Sequence, residues 1–249
     1  MNSFSVYYQV YDAQAQTERI LATFRAVYPD IHIRLLCDKG SDHTELSRKY
    51  RCEYIYSDYH MGLWGHQNVM VVGGEHCYGW NKEEAVEFLN RMLKFATSMQ
   101  TKYLLYMEDD IYVTKPIKVI ESEFPFTQVM PGNPLCQNTK DLCKKFNPNH
   151  TIDRYGCCAG HFVSRELYID CINKTLWFLT ENYDELSKVE RNLGWPDTLS
   201  NLVFNLCGFR GVANPDYSDG FVEVFNTPIF HSHFGKAEKW AKIYSQIRK

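Results

Sequence analysis

The run Ile31-His32-Ile33-Arg34-Leu35-Leu36-Cys37 is nearly apolar on both faces and stops at Asp38-Lys39-Gly40-Ser41. Successive strand residues point to opposite faces, so a run without alternation must be covered on both sides. That is the situation of a central strand in a parallel sheet with helices above and below. Its neighbours keep the same rhythm. Residues 4–10 alternate and are rich in β-branched and aromatic side chains; from Thr17 onward, Ile20, Leu21, Phe24, Val27 and Tyr28 recur at helical spacing until Pro29-Asp30. A shorter helix and a third strand at 52–57 follow. This order predicts right-handed crossovers and a doubly wound α/β sheet, central and mostly parallel, with helices on both faces.

Residues 58–80 break the rhythm. Gly62, Gly65, Gly73, Gly74 and Gly79 are interleaved with Trp64, Trp80, His60, His66 and His76, which reads as either a lid or an irregular surface insertion. Asn81 with Glu84 forms a capping box, and Ala85, Phe88, Leu89, Met92, Leu93, Ala96 and Met99 give the next helix one apolar stripe. Residues 102–107 are a buried strand that runs directly into Glu108-Asp109-Asp110 and then Ile111-Tyr112-Val113. The second half has Pro and Asn punctuation from 131 to 148, a strand-like turn at 155–163, helices at about 165–180 and after Pro196, and strand-like pieces at 209–213, 221–225 and 228–231. With 249 residues the chain is expected to form one domain, with halves at 1–113 and 114–249.

A net charge of −3 gives no basis for bulk electrostatic binding to nucleic acid. The nine cysteines are odd in number and form no CxxC pair, which favours reduced thiols over disulfides or a zinc site. No basic and apolar leader follows Met1, and no stretch approaches the roughly 20 apolar residues of a membrane span. These features point to a cytoplasmic protein, with a flanking anchor left open. The sequons Asn149-His150-Thr151 and Asn173-Lys174-Thr175 would matter only in a secretory lumen. The lysines and arginine among residues 236–249 read as a solvated helix face or as phosphate contacts.

Three acids at the carboxyl end of an apolar strand are costly unless something positive sits among them. Ligand crevices of open α/β sheets lie at that end, and Mg²⁺ or Mn²⁺ would bridge carboxylates to a diphosphate. An acidic turn capped by lysines is the alternative. The strand order followed by a hydrophobic strand ending in Glu-Asp-Asp resembles the GT-A glycosyltransferases, Rossmann-like enzymes that use nucleotide-sugar donors and whose "DxD" motif takes the form EDD in several branches. The resemblance implies Asp110 as the metal ligand and Glu108 and Asp109 as donor contacts. It also implies nucleotide contacts from Tyr8, Gln9 and Val10 on the first strand and from Asp38 on the second, and a donor contact from Arg91. Read from the residues alone, Tyr8 fits a core position, Asp38 a turn and Arg91 an exposed helix face equally well.

Pro228-Ile229-Phe230-His231-Ser232-His233-Phe234-Gly235-Lys236 places two histidines on one face of an extended run. Imidazole suits Mn²⁺, and a lysine can neutralise a diphosphate. The run is similar to a late His-Phe-x-Gly-x-x-Lys-Pro-Trp element of some GT-A enzymes, with one residue fewer between His and Gly and no proline after Lys239. It implies a metal role for one of His231 and His233 and a phosphate role for Lys236. Asp197, after Gly194-Trp195-Pro196, fits both a helix N-cap and a general base for an acceptor hydroxyl. The small residues of Tyr155-Gly156-Cys157-Cys158-Ala159-Gly160-His161 suit close approach of a sugar, and no base accompanies the two cysteines to make them nucleophiles.

The combined expectation is a metal-dependent transfer of a sugar from a nucleoside-diphosphate sugar to a glycan or glycoconjugate hydroxyl, with inversion. Retention is the rival within the class. A nucleotidyltransferase would carry a Gly-rich basic loop after the first strand, where this chain has Tyr11-Asp12-Ala13-Gln14-Ala15. A non-enzymatic carbohydrate-binding protein would not need the acidic triplet.

Overall fold

The computed structural model describes residues 4–58, 69–72, 75–78, 82–117, 126–130, 137–149, 158–189, 196–209, 212–220 and 226–232. In chain order the elements are β1 (Phe4–Val10), α1 (Gln14–Val27), β2 (Ile33–Asp38), α2 (Thr44–Lys49), β3 (Glu53–Ser57), β4 (Val69–Val72), β5 (Glu75–Tyr78), α3 (Lys82–Ser98), β6 (Tyr103–Glu108), β7 (Ile111–Val113), β8 (Phe126–Met130), α4 (Gln137–Phe146), β9 (Cys158–Ser164), α5 (Arg165–Val189), α6 (Pro196–Asn205), β10 (Val212–Ala213), β11 (Tyr217–Gly220) and β12 (Ile229–Ser232).

The main sheet has the order β10-β8-β9-β6-β1-β2-β3. Strands β3, β2, β1 and β6 are mutually parallel; β9 is antiparallel to β6, and β8 is antiparallel to β9. Every residue of β2 is buried, as a central strand without alternation requires, whereas the edge strand β3 is half-exposed. A small second sheet, β11-β12-β7, is set at the end of β6.

Two cores line the faces of the main sheet. On one side α1 seats Ile20, Leu21 and Phe24 against Val6, Tyr8 and Leu35, and each of the three contributes about 2 kcal/mol by leaving water. On the other, the stripe Ala85, Phe88, Leu89, Met92 and Phe95 of α3 meets Tyr168, Ile172 and Leu179 of α5 and Leu202 and Phe204 of α6.

Several elements depart from the expected ones. The insertion at 58–80 contains a hairpin, with Val69↔Tyr78 and Val72↔Glu75 paired around Gly73-Gly74, so part of the presumed loop is strand. A two-residue Gly-Gly connection after a β-branched run is a hairpin signal. The rest of that segment lies outside the described residues, as do the Asn81 cap and the run 221–225. The punctuated stretch 131–148 holds α4, and α5 runs on to Val189 because Phe178, Leu179, Tyr183 and Leu186 continue its buried stripe. Cys37, Cys52, Cys171 and Cys207 are free thiols, and burial pushes Cys52 up to about 11.

Candidate active site

Strand β1 has β2 on one side and β6 on the other, so the order of strands along the sheet reverses at β1. In open α/β sheets the ligand crevice opens at such a switch point, beyond the carboxyl ends of the strands. There Gln9 stands in register with Leu36 on one side and Glu108 on the other. Its Nε2 donates to Asp38 Oδ2 at 3.4 Å and its Oε1 accepts from the Tyr106 hydroxyl at 3.0 Å.

Asp38 is the last residue of β2 and 1% exposed. Arg91 of α3 donates from Nη1 to Asp38 Oδ1 at 2.8 Å and from its other amino group to the Ser57 hydroxyl at the end of β3. Its Nε lies 3.5 Å from Glu87, one helical turn away. The structure therefore brings Gln9, Asp38 and Arg91 together, but it corrects the reading of Arg91 as exposed and of Asp38 as a turn residue. Desolvation explains the arrangement: a buried carboxylate at a strand end needs a cation, and the helix covering that strand supplies one.

For Tyr8 the core alternative holds, and Val10 shares it. Both side chains are in the core, Tyr8 edge-on to Phe24 with ring centroids 5.9 Å apart, so only their main chain faces the strand end. The next residue, Tyr11, is 40% exposed. Gly40 holds the β2–α2 turn against it: a Cβ on Gly40 would collide with the Tyr11 carbonyl, and the preceding Lys39 adopts φ +61°.

Asp110 lies in the turn that ends β6 and is 2% exposed; Glu108 and Asp109 are half-buried. Its carbonyl accepts from the Ser232 N–H at 3.0 Å, and its Oδ2 lies 3.3 Å from His231 Nε2, with the two side chains 2% and 7% exposed. The small sheet makes this contact. β12 pairs antiparallel with β7, matching His231 to Ile111, and Ile229 and Phe230 anchor β12 in the α1-side core. On the other edge β11 runs parallel to β12, and the Tyr217 hydroxyl lies 3.3 Å from His231 Nδ1.

Of the two candidate histidines, then, His231 is the one seen beside Asp110; His233 and Lys236 lie outside the described residues. A carboxylate oxygen and an imidazole nitrogen, buried side by side, suit Mn²⁺ or Mg²⁺ in donor chemistry. Among the described residues no group of three or more His, Cys, Asp or Glu side chains is set to hold a metal ion.

Helix α6 begins at Pro196, so Asp197 falls in its first turn and the proline takes the first helical position, rather than Asp197 acting as the cap. The Asp197 side chain lies outside the described residues. His161 is a core residue, fully buried, with its ring over Tyr106 at 5.2 Å and edge contacts to Tyr168 and Phe204 at 5.1 Å. Burial lowers its pKa to about 3, so it is neutral at pH 7.

Sequence reasoning missed Ser57, Tyr106 and Tyr217. Ser57 and Tyr106 carry no local signal, because their partners come from other strands and a helix. For Tyr217, the turn residues Asn214-Pro215-Asp216 just before it mark a strand start.

No protein-family model and no curated protein sequence matches the chain. Among solved structures, the galactosyltransferase LgtC in complex with donor and acceptor sugar analogues has a TM-score of 0.49 at 12% identity, covering 97% of this chain and 95% of that one. An active-site mutant of LgtC gives 0.47 at 12% identity with the same coverage. Mouse xyloside xylosyltransferase 1 in its apo form gives 0.49 at 10% identity, covering 93% of this chain and 98% of that one. None of these similarities assigns a role to a residue of this chain.

Proposed function

We propose that this protein is a glycosyltransferase that moves a sugar from a nucleoside-diphosphate sugar to a hydroxyl of a glycan or glycoconjugate, using Mn²⁺ or Mg²⁺. The observation that carries the reading is the contact between Asp110 and His231 at the carboxyl end of β6, beside the switch point of the sheet. Burying a carboxylate beside an imidazole there favours a divalent cation over any neutral ligand. Asp110 and His231 would hold the ion, with His233 the other candidate, and the bound ion would supply positive charge to the departing diphosphate.

The chain's own residues have separate tasks in this reading. Gln9, held by Tyr106 and Asp38, and the main chain of Tyr8 and Val10 would meet the nucleoside. Glu108 and Asp109, at the end of β6, would take donor hydroxyls, and Lys236 the diphosphate. Arg91 would act through Asp38, since its guanidinium is occupied in the buried pair. Asp197 would accept the acceptor's hydroxyl proton as that oxygen bonds to the anomeric carbon and the bond from that carbon to the diphosphate oxygen breaks, which inverts the centre.

A thermal-shift screen of nucleoside diphosphates and nucleotide-sugars with and without Mn²⁺ tests the reading. A ligand of the folded state at 100 times its dissociation constant adds about 2.7 kcal/mol. Stabilisation by a nucleoside diphosphate that requires Mn²⁺ is expected, and no shift with any nucleotide would remove the proposal. Proton NMR of the product's anomeric coupling then reads the stereochemistry, for which inversion is expected.

A further inference from the structure

The Tyr217 hydroxyl lies on the opposite side of the His231 ring from Asp110, 3.3 Å from Nδ1 while Nε2 lies 3.3 Å from Asp110. We propose that Tyr217 is a positioning residue for divalent-cation binding, holding the His231 ring so that Nε2 is presented beside the Asp110 carboxylate. This rests on the reading of Asp110 and His231 as the cation's ligands.

The two nitrogens of an imidazole have different jobs. A ring that offers Nε2 to a cation must be neutral and carry its proton on Nδ1. His231 is 6% exposed, so that Nδ1–H has little access to water and needs an acceptor in the protein. A tyrosine hydroxyl can accept through its oxygen and donate through its proton. The same contact can therefore serve either tautomer of the ring, including the one that leaves Nε2 open to a cation. Partners on the far side of a ligating histidine fix the ring's orientation and its tautomer.

Tyr217 is itself fixed by interactions that do not involve its hydroxyl. Its N–H donates to the Asn214 carbonyl at 3.2 Å, Ile229 N–H donates to the Asp216 carbonyl at 2.9 Å, and the Ser218 and Thr227 hydroxyls meet at 2.5 Å. Its ring also packs against the α1-side core. Removing only the oxygen thus leaves β11 and β12 in place.

The test is Mn²⁺ binding to the full chain, followed by calorimetry and by the electron paramagnetic resonance signal of free Mn²⁺. Tyr217→Phe should weaken Mn²⁺ binding about 10–100-fold, with the urea midpoint nearly unchanged, and Asp110→Asn and His231→Gln should abolish binding. Ser218→Ala, which disturbs β11 without touching the ring, should leave the affinity at the unaltered value. If Asp110→Asn and His231→Gln abolish binding and Tyr217→Phe does not weaken it, the positioning role is overturned and the metal reading stands. An equal loss in Ser218→Ala would assign the effect to the strand and overturn the role as well. If the unaltered protein binds no Mn²⁺, or none of these substitutions changes binding, both fall.

Discussion

The Asp38 carboxylate and the Arg91 guanidinium meet at 2.8 Å with side chains 2% and 8% exposed, and they fasten α3 to the carboxyl end of β2. Asp38 also accepts from Gln9, and Arg91 donates to Ser57, so one buried pair sets the ends of β1, β2 and β3 relative to one another. A donor crevice at that edge, as proposed, would depend on this clamp.

Replacing one partner of a buried pair strands the other charge. Arg91→Met should lower stability by about 3–5 kcal/mol. Urea denaturation checks this, and a loss below about 1 kcal/mol would show that the pair behaves as a surface ion pair.

Asp110→Asn keeps the shape of the side chain and removes its charge. Turnover with a proven donor should fall by about two orders of magnitude or more, and added Mn²⁺ should no longer raise the melting temperature in the presence of a nucleoside diphosphate. Chelation of the unaltered protein should produce the same loss, reversible by Mn²⁺.

Asp197→Asn separates proton removal from donor binding. Transfer should drop about 10²–10⁴-fold, while the nucleoside diphosphate dissociation constant stays within error of the unaltered protein. Full transfer in this variant would move the base elsewhere.

Gly160, at φ +130°, has no room for a side chain: a Cβ there would strike the Tyr106 carbonyl on the neighbouring strand. Gly160→Ala should force β9 away from β6 and destabilise by about 2 kcal/mol or more. Denaturation midpoints read the effect directly.

His161 should make stability fall with acid. Its folded pKa is depressed to about 3, below the ordinary histidine value of 6.5, so between those values the unfolded chain binds a proton that the folded chain does not. The neutral-ring contribution is therefore fully present above pH 6.5 and declines as pH drops towards 3, by about 2 kcal/mol from pH 7.5 to pH 5. Burial lowers His32 and His43 in the same sense, so they add to the slope. His161→Phe should remove its share in urea titrations across that range; an unchanged slope would place the proton uptake on the other histidines.

The parallel strands were legible because their apolar runs and the helical stripes between them are local properties of the chain. Glu108-Asp109-Asp110 was legible for a related reason, since acids abutting an apolar strand conflict with burial. The pairing of Arg91 with Asp38 was not, because an arginine on an amphipathic helix looks the same whether it meets water or a carboxylate 53 positions away. For Tyr8 and Val10 the strand position was readable, while the face each side chain turns to the core depends on α1. Helix α4 was hidden by the Pro and Asn residues around it, and the β4–β5 hairpin by the glycine-rich sequence in which it lies.

The ring of His231 reaches Asp110 only because β12 docks on β7, and β12 follows β7 by more than a hundred residues. During synthesis, β1, β2, β3 and β6 can assemble and bury most of their apolar surface while this histidine is still to be made. A nascent chain halted before β12 would hold the acidic strand end without its imidazole partner. Any cation affinity of this pair would thus be acquired only once β12 has been made, after the scaffold has formed.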